Sequence, residues 1–262
     1  MRVHVVSDVH GNVDALAKAG VGADALIVLG DLVDFVDYSD PSRGIMGTVL
    51  GPEASDTFRR LRKEGKPGEL RAFAAEAWSR IDDPAAVIEQ AVRDQYTELF
   101  AVLPDPTYAI PGNVDIARLW PEFARPGVHM VDGQVVELGG LRFGFVGGAP
   151  LPPGIPPVPG RGWTPYLRAA EEHDAAVRAL GPVDVLCLHA PPAVPELRYD
   201  VITRRPELAS TAAVEVIHEH EPRAVVFGHV HQPLAQRMRI GRTECVNVGH
   251  FRRTGTPYVL RW

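Results

Sequence analysis

The sequence is short of several things, and each shortage closes off a class of protein. Its 262 residues include two cysteines, Cys187 and Cys245, each inside an apolar run (VDVLCLH and TECVNV). Two thiols so placed make neither a disulfide framework nor a cysteine-ligated zinc site, and both read as buried free cysteines. Basic charge is outnumbered, with 27 Lys and Arg against 33 Asp and Glu and a net charge of −6. That balance argues against nucleic acid or an anionic membrane as the main partner. No apolar run is long enough to span a bilayer, and no repeat of solenoid length is present. The chain opens MRVHVVSD, which already reads as a strand and leaves no room for a leader peptide. The expectation is a soluble, cytoplasmic protein of unspecified oligomeric state.

With 45% apolar residues, the chain has enough to bury a large core, and one domain over residues 1–262 is the default. Short β-branched runs recur: VHVVS, ALIVLG, TYAIPG, RFGFVGG, VDVLCLH, RAVVFGH and ECVNVGH. Between several of them lie segments of helical period, at 13–20, 53–64, 69–80, 84–102, 114–124, 166–180 and 206–220. Apolar strands alternating with helices predict an α/β protein with sheets covered by helices. Strands near 134–147, 234–240, 243–248 and 257–261 read as hairpins, so the sheets should be mixed. Two insertions stand out. Residues 38–103 begin with an expected loop, YSDPSRGIMGTVLGP, and continue as three helical stretches, together a candidate helical cap. Residues 151–165, LPPGIPPVPGRGWTP, read as a surface linker or a stiff wall beside a site.

The residues that follow the strands carry the chemistry. VHVVS runs into Asp8 and His10, ALIVLG into Asp31 and Asp34, and TYAIPG into Asn113 and Asp115. VDVLCL runs into His189, RAVVF into His229 and His231, and ECV into Asn247 and His250. In open α/β sheets, ligands bind beyond the carboxyl ends of the strands, so these groups are expected to converge. Asp8, Asp31, His10, His189, His229, His231 and Asn113 offer oxygen and nitrogen donors without a thiolate. That set suits two divalent ions such as Mn, Fe, Zn or Co, and an aspartate can hold one ion on each oxygen.

Taken together, SDVHGN, LGDLVD, PGNVD, CLHAPP and FGHVHQP resemble the motif set of the calcineurin-like metallophosphoesterase family, over residues 7 to about 250. The resemblance implies two packed mixed β-sheets with helices on both outer faces, an α/β/β/α sandwich. It implies that Asp8, His10, Asp31 and His231 hold one ion, and that Asp31 bridges to a second held by Asn113, His189 and His229. Manganese is the favoured metal. It further implies phosphoester hydrolysis by a hydroxide shared between the ions, with Asp31 and Asn113 in catalytic positions and Asn113 touching substrate.

The sequence departs from the family pattern in three places. Many members read GNH, where the histidine protonates the leaving group; here Val114 stands in its place and can give no proton. The pattern therefore resembles the small bacterial and archaeal phosphodiesterases that lack this histidine, and a small phosphodiester or nucleotide-type substrate is expected. GDLVDFV lacks the arginine of the serine/threonine phosphatase and dinucleoside tetraphosphate hydrolase branches. His250 stands where relatives usually read NPGS; it reads as a surface residue or as a replacement acid, with Arg252 beside it a candidate phosphate contact. Asp34 and Asp115 read as supporting residues, and Tyr38, Arg43 and Trp163 as guesses for substrate contact. A phosphomonoesterase, a nuclease-like enzyme and a non-catalytic scaffold of the same fold remain the alternatives.

Overall fold

The computed structural model describes residues 1–157, 163 and 165–262. Two mixed sheets form its centre. The first has the strand order Tyr258–Arg261, Arg2–Val6, Ala25–Val28, Thr107–Ala109 and Val128–Met130, parallel throughout except at the Tyr258–Arg261 edge. The second has the order Arg237–Ile240, Thr243–Asn247, Ala224–Phe227, Val185–Leu188, Leu141–Val146 and Val135–Leu138, with an antiparallel strand at each edge. The edge hairpin Val135–Leu138/Leu141–Val146 turns through Gly139 and Gly140, both at positive φ, the conformation a two-residue hairpin turn requires.

Alternation along each strand decides what packs where. Val3, Val5, Ile27, Phe143, Phe145, Cys187 and Val226 point between the sheets. Their neighbours point outward: Val6, Leu26 and Val28 under one helical layer, Leu186, Leu188, Val225 and Phe227 under the other. Side chains two apart share a face, so strands buried on both faces must be apolar at nearly every position. The expected α/β/β/α layering is what the structure has. Both cysteines are free and buried, Cys187 between the sheets and Cys245 beneath the outer helices. No helix among the described residues is long and apolar enough to cross a membrane.

The insertion holds four helices rather than three: Gly44–Leu50, Pro52–Lys63, Pro67–Trp78 and Pro84–Ala101. The first lies inside the expected loop. Its two glycines, Thr48 and Val49 are poor helix formers, and tertiary burial of Ile45 and Met46 outweighs that preference. The last is part of the core. Ile88, Val92, Tyr96, Leu99 and Phe100 recur on one face and pack with Trp120 and Phe123 against the first sheet. The segment expected as a helix at 114–124 is a 3₁₀ helix, Ala117–Phe123, with Pro121 inside it. Proline removes the donor an α-helix needs there. In the proline-rich insertion, residues 158–162 and 164 lie outside the described residues.

Phe145 is fully buried between the sheets. Phe145→Ala is expected to lower unfolding free energy by about 3–5 kcal/mol in urea titration. A loss below about 1 kcal/mol would contradict a tightly packed inter-sheet layer.

Candidate metal centre

The carboxyl ends of the parallel strands in both sheets open onto one region. There the backbone turns back on itself. Among the described residues, six non-glycine positions have positive φ, and four of them are Asp8 (57°), His10 (40°), Asp31 (53°) and His229 (66°). Aspartate and histidine enter this region more readily than bulkier residues, at about 1–3 kcal/mol each. Hydrogen bonds between the turns hold them: Asp8 N donates to Gly30 O (3.0 Å), His10 N to Asp31 O (2.9 Å) and His229 N to Asp8 Oδ2 (3.0 Å). Glycines let the turns approach. A Cβ on Gly112 would collide with Asp31 N and Oδ1, and one on Gly228 with Ser7 Oγ and Asp8 Oδ2. The strained conformation next to Gly228 belongs to His229; the glycine itself is required by close approach.

The side chains then form two adjoining groups. In one, His231 Nε2 lies 3.2 Å from Asp8 Oδ1 and 3.2 Å from His10 Nε2. His10 Nε2 is 3.9 Å from Asp8 Oδ1 and 3.9 Å from Asp31 Oδ2. In the other, His189 Nε2 is 3.5 Å from Asp31 Oδ1 and 3.0 Å from Asn113 Oδ1, which is 2.6 Å from His229 Nδ1. Asp31 therefore turns one carboxylate oxygen to each group. Nδ1 of His10 sits on Val33 O (3.1 Å) and Nδ1 of His189 on Leu29 O (2.7 Å). These carbonyls take the ring proton and leave Nε2 with its lone pair facing inward.

The electrostatics suit cations. Asp8 and Asp31 are buried, and their ion-pair partners among the described residues are histidines alone. Burial, together with the charges of Asp8 and Asp115, pushes the Asp31 carboxyl well above its ordinary range. Burial works the same way on Asp8, but the hydrogen bond and charge of His231, with His189 and His10, hold it below. Burial lowers His10, His189 and His229, the last to about 3, so these imidazoles are neutral at neutral pH. At His231, burial is outweighed by the hydrogen bond to Asp8, and the ring is raised. Two buried carboxylates without a Lys or Arg ion-pair partner among the described residues, beside three lowered imidazoles, His231 and an amide oxygen, fit a pair of divalent ions that would supply the missing charge.

Supporting residues lock the turns together. Asp115 accepts from Leu32 N (3.1 Å), Val33 N (3.2 Å), Gly112 N (2.8 Å) and Tyr96 Oη (3.1 Å), fixing the two loops around Asp31 and Asn113. Asn247 Nδ2 donates to Val230 O (2.9 Å), anchoring the His229–His231 turn. The Arg252 guanidinium donates to His10 O and pairs with Asp34 (2.8 Å) and Asp37, so its donors are engaged within the protein. His250 stacks on His231 with ring centroids 3.9 Å apart. Tyr38 lines the opening beside His10, His231, His250 and Arg252. Arg43 lines a neighbouring cleft with Asp34 and Gln95. Trp163 stacks on Phe35 (4.3 Å) and donates from Nε1 to Val114 O (3.2 Å). Sequence reasoning missed Asp37 and Tyr96; Arg62, within the basic run FRRLRKEGK, has its guanidinium 5.9 Å from the Tyr38 ring centroid. His4 is structural, its Nδ1 on Ala19 O (2.7 Å).

Residues 1–233 match the family model for calcineurin-like phosphoesterase. The chain is similar in fold to TT1561 of Thermus thermophilus, at 15% identity and TM-score 0.54, covering 99% of this chain and 98% of that one. It is less similar to GAP50, the anchor in the inner membrane complex of Plasmodium, at 11% identity and TM-score 0.41, covering 95% of this chain and 71% of that one. No curated protein matches. The chain belongs to the calcineurin-like phosphoesterase family of metal-dependent phosphoester hydrolases.

Asp115→Ala leaves several buried donors without an acceptor, at about 1–3 kcal/mol apiece. It is expected to cost at least about 3 kcal/mol in chemical denaturation and to weaken manganese binding in calorimetry. Near-wild-type values for both would contradict the anchoring role.

Proposed function

We propose that this calcineurin-like phosphoesterase is a phosphodiesterase acting on small or nucleotide-type diesters. Asp8, His10, Asp31 and His231 would hold one divalent ion, and Asp31, Asn113, His189 and His229 the other. When bound, such a pair supplies Lewis acidity and makes a water between the ions acidic enough to ionise near neutral pH. Manganese, iron, zinc and cobalt all accept these donors.

The observation that carries the diester preference is the surroundings of Asn113. Val114 has no proton to give a leaving group. Its N–H is committed to Asp31 Oδ1 (2.9 Å) and its carbonyl to Trp163. Arg252 is paired with Asp34 and Asp37. A monoester dianion brings one more negative charge than a diester, and Arg252, already engaged with Asp34 and Asp37, offers it no free charge. A diester monoanion whose leaving group needs no protonation suits such a site, since a missing general acid forfeits about 10²–10⁴ in rate for poor leaving groups.

The outer rim supports a substrate with a body beyond the scissile phosphate. Tyr38 is 48% exposed and Arg62, also exposed, lies over its ring without an ion-pair partner among the described residues. An aromatic face and a guanidinium together suit a base or a second anionic group. Arg62→Ala is expected to raise KM for a nucleotide diester severalfold with kcat within about twofold, the signature of lost uniform binding. An unchanged KM would remove Arg62 from the substrate path.

The direct test compares bis-p-nitrophenyl phosphate with p-nitrophenyl phosphate in the presence of manganese. The expected result is kcat/KM at least about tenfold higher for the diester. Asp31→Asn is expected to reduce it beyond the roughly 10–100-fold that loss of an outer-shell partner costs. Faster turnover of the monoester would overturn the diesterase reading.

A further inference from the structure

We propose that the hairpin over residues 199–206, with Leu234 beside it, is an apolar lip of the opening at the metal-facing turns and takes the carbon chain of an amphipathic phosphodiester. The inference rests on the diesterase reading and narrows its substrate to a diester that carries an alkyl or acyl chain.

The hairpin pairs Tyr199–Asp200 with Arg205–Pro206. It is tied to the chain that leaves the His229–His231 turn. Asp200 is buried, and its Oδ2 accepts from Gln232 N (3.1 Å). Its Oδ1 accepts from Ile202 N and Thr203 N (2.9 Å each), which folds the tip of the hairpin. Val201 N donates to Gln232 O (2.9 Å) and Leu234 N to Tyr199 O (2.9 Å). Gln232 directly follows His231, so one buried carboxylate fixes the tip against the turn that presents two of the metal donors.

Apolar exposure gathers at this place. Of the nine large apolar side chains exposed among the described residues, four are Tyr38, Val201 (40%), Ile202 (60%) and Leu234 (61%). Tyr38 lines the opening with Val36, His10 and His231. The other three sit on the segments that Asp200 and Gln232 hold together. Single exposed apolar side chains are ordinary on a protein surface, whereas several on adjoining segments beside a polar cleft mark a binding surface.

Cations flank these residues. Arg62 lies over the Tyr38 ring, and its guanidinium is raised by Tyr38 first and also by Glu207, Asp31 and Asp200, so the insertion helix and the hairpin border the same opening. Arg204 is exposed at the end of the hairpin tip, at φ 55°. Glycine fits that backbone conformation best, and an arginine there sets a cation two residues from Ile202. An apolar surface edged by arginines fits a molecule with an anionic head and a hydrocarbon chain. The phosphoryl group would sit at the metal-facing side chains and the chain on Val201, Ile202 and Leu234. A purely polar diester leaves those three side chains in water.

The test uses full-length protein with manganese and p-nitrophenyl phosphodiesters whose second ester group is methyl, butyl or octyl, each below its micelle concentration. All three carry one negative charge and release the same p-nitrophenolate, so only chain length varies. Full burial of one methylene is worth about fourfold, and a lip covers one side of a chain, so kcat/KM is expected to rise about tenfold or more from methyl to octyl. The gain should lie chiefly in KM. Ile202→Ser and Leu234→Ser are each expected to cut the octyl-to-methyl ratio of kcat/KM about threefold or more. Val21, 73% exposed, stands in the turn before Ala25–Val28, at the other end of that strand from Asp31, and Val21→Ser should keep the wild-type ratio. An octyl ester no better than the methyl ester, or a ratio unmoved by both lip variants, would overturn the proposal. So would a gain that appears only above the micelle concentration, which marks docking on an aggregate surface. No turnover of any of the three esters would defeat the diesterase reading itself, and the lip with it.

Discussion

Burial of the Asp31 carboxylate between two sets of imidazoles is the constraint on which the rest of the site depends. The residue has to turn at positive φ directly after a buried strand, with one oxygen toward His10 and the other toward His189. Gly30 and Gly112 let the two loops cross, and Asp115 pins both loops through their backbone N–H groups. The cost of holding Asp8, Asp31 and Asp115 out of water together is large, because Asp8 and Asp31 have imidazoles and no Lys or Arg as ion-pair partners among the described residues. Divalent ions held between the two carboxylates that face the cleft would relieve that repulsion, and their binding energy would help stabilise the strained turns.

The same logic gives Arg252 its place. It ties the His10 carbonyl to Asp34 and Asp37, so that the loop leading into the insertion and the loop after the last parallel strand close on the first motif. A positive charge so engaged steadies the turns that carry the donor groups. The insertion is equally divided in its duties. Its last helix supplies Tyr96 to Asp115 and Gln95 to Asp34 N (2.8 Å), and so belongs to the scaffold. Its helix Pro52–Lys63 carries Arg62, whose guanidinium lies 5.9 Å from the Tyr38 ring centroid.

Much of this was legible in the sequence because strand ends are local. An apolar run followed within three residues by Asp, Asn or His states both the strand and the group it delivers, and all seven expected donors lie in the two adjoining groups. The sheets and their layering followed from the same runs. What escaped depends on long-range meeting. Arg252 and Asp37 are 215 residues apart, and Asp115 and Leu32 are 83 apart, so nothing near either residue announces the pair. The Gly44–Leu50 helix was hidden because its residues are helix-averse and only the burial of Ile45 and Met46 holds it. His250 was visible as a strand-end residue, but not its stacking on His231, which is set by where two separate turns come to rest.

The central claim is that Asp31 is shared by two ions, and anomalous scattering from crystals grown with manganese tests it most directly. The account predicts two peaks flanking the Asp31 carboxylate, about 3.5–4 Å apart, one toward His10 and His231 and the other toward Asn113, His189 and His229. A single peak, or two peaks of which only one contacts Asp31, would contradict it.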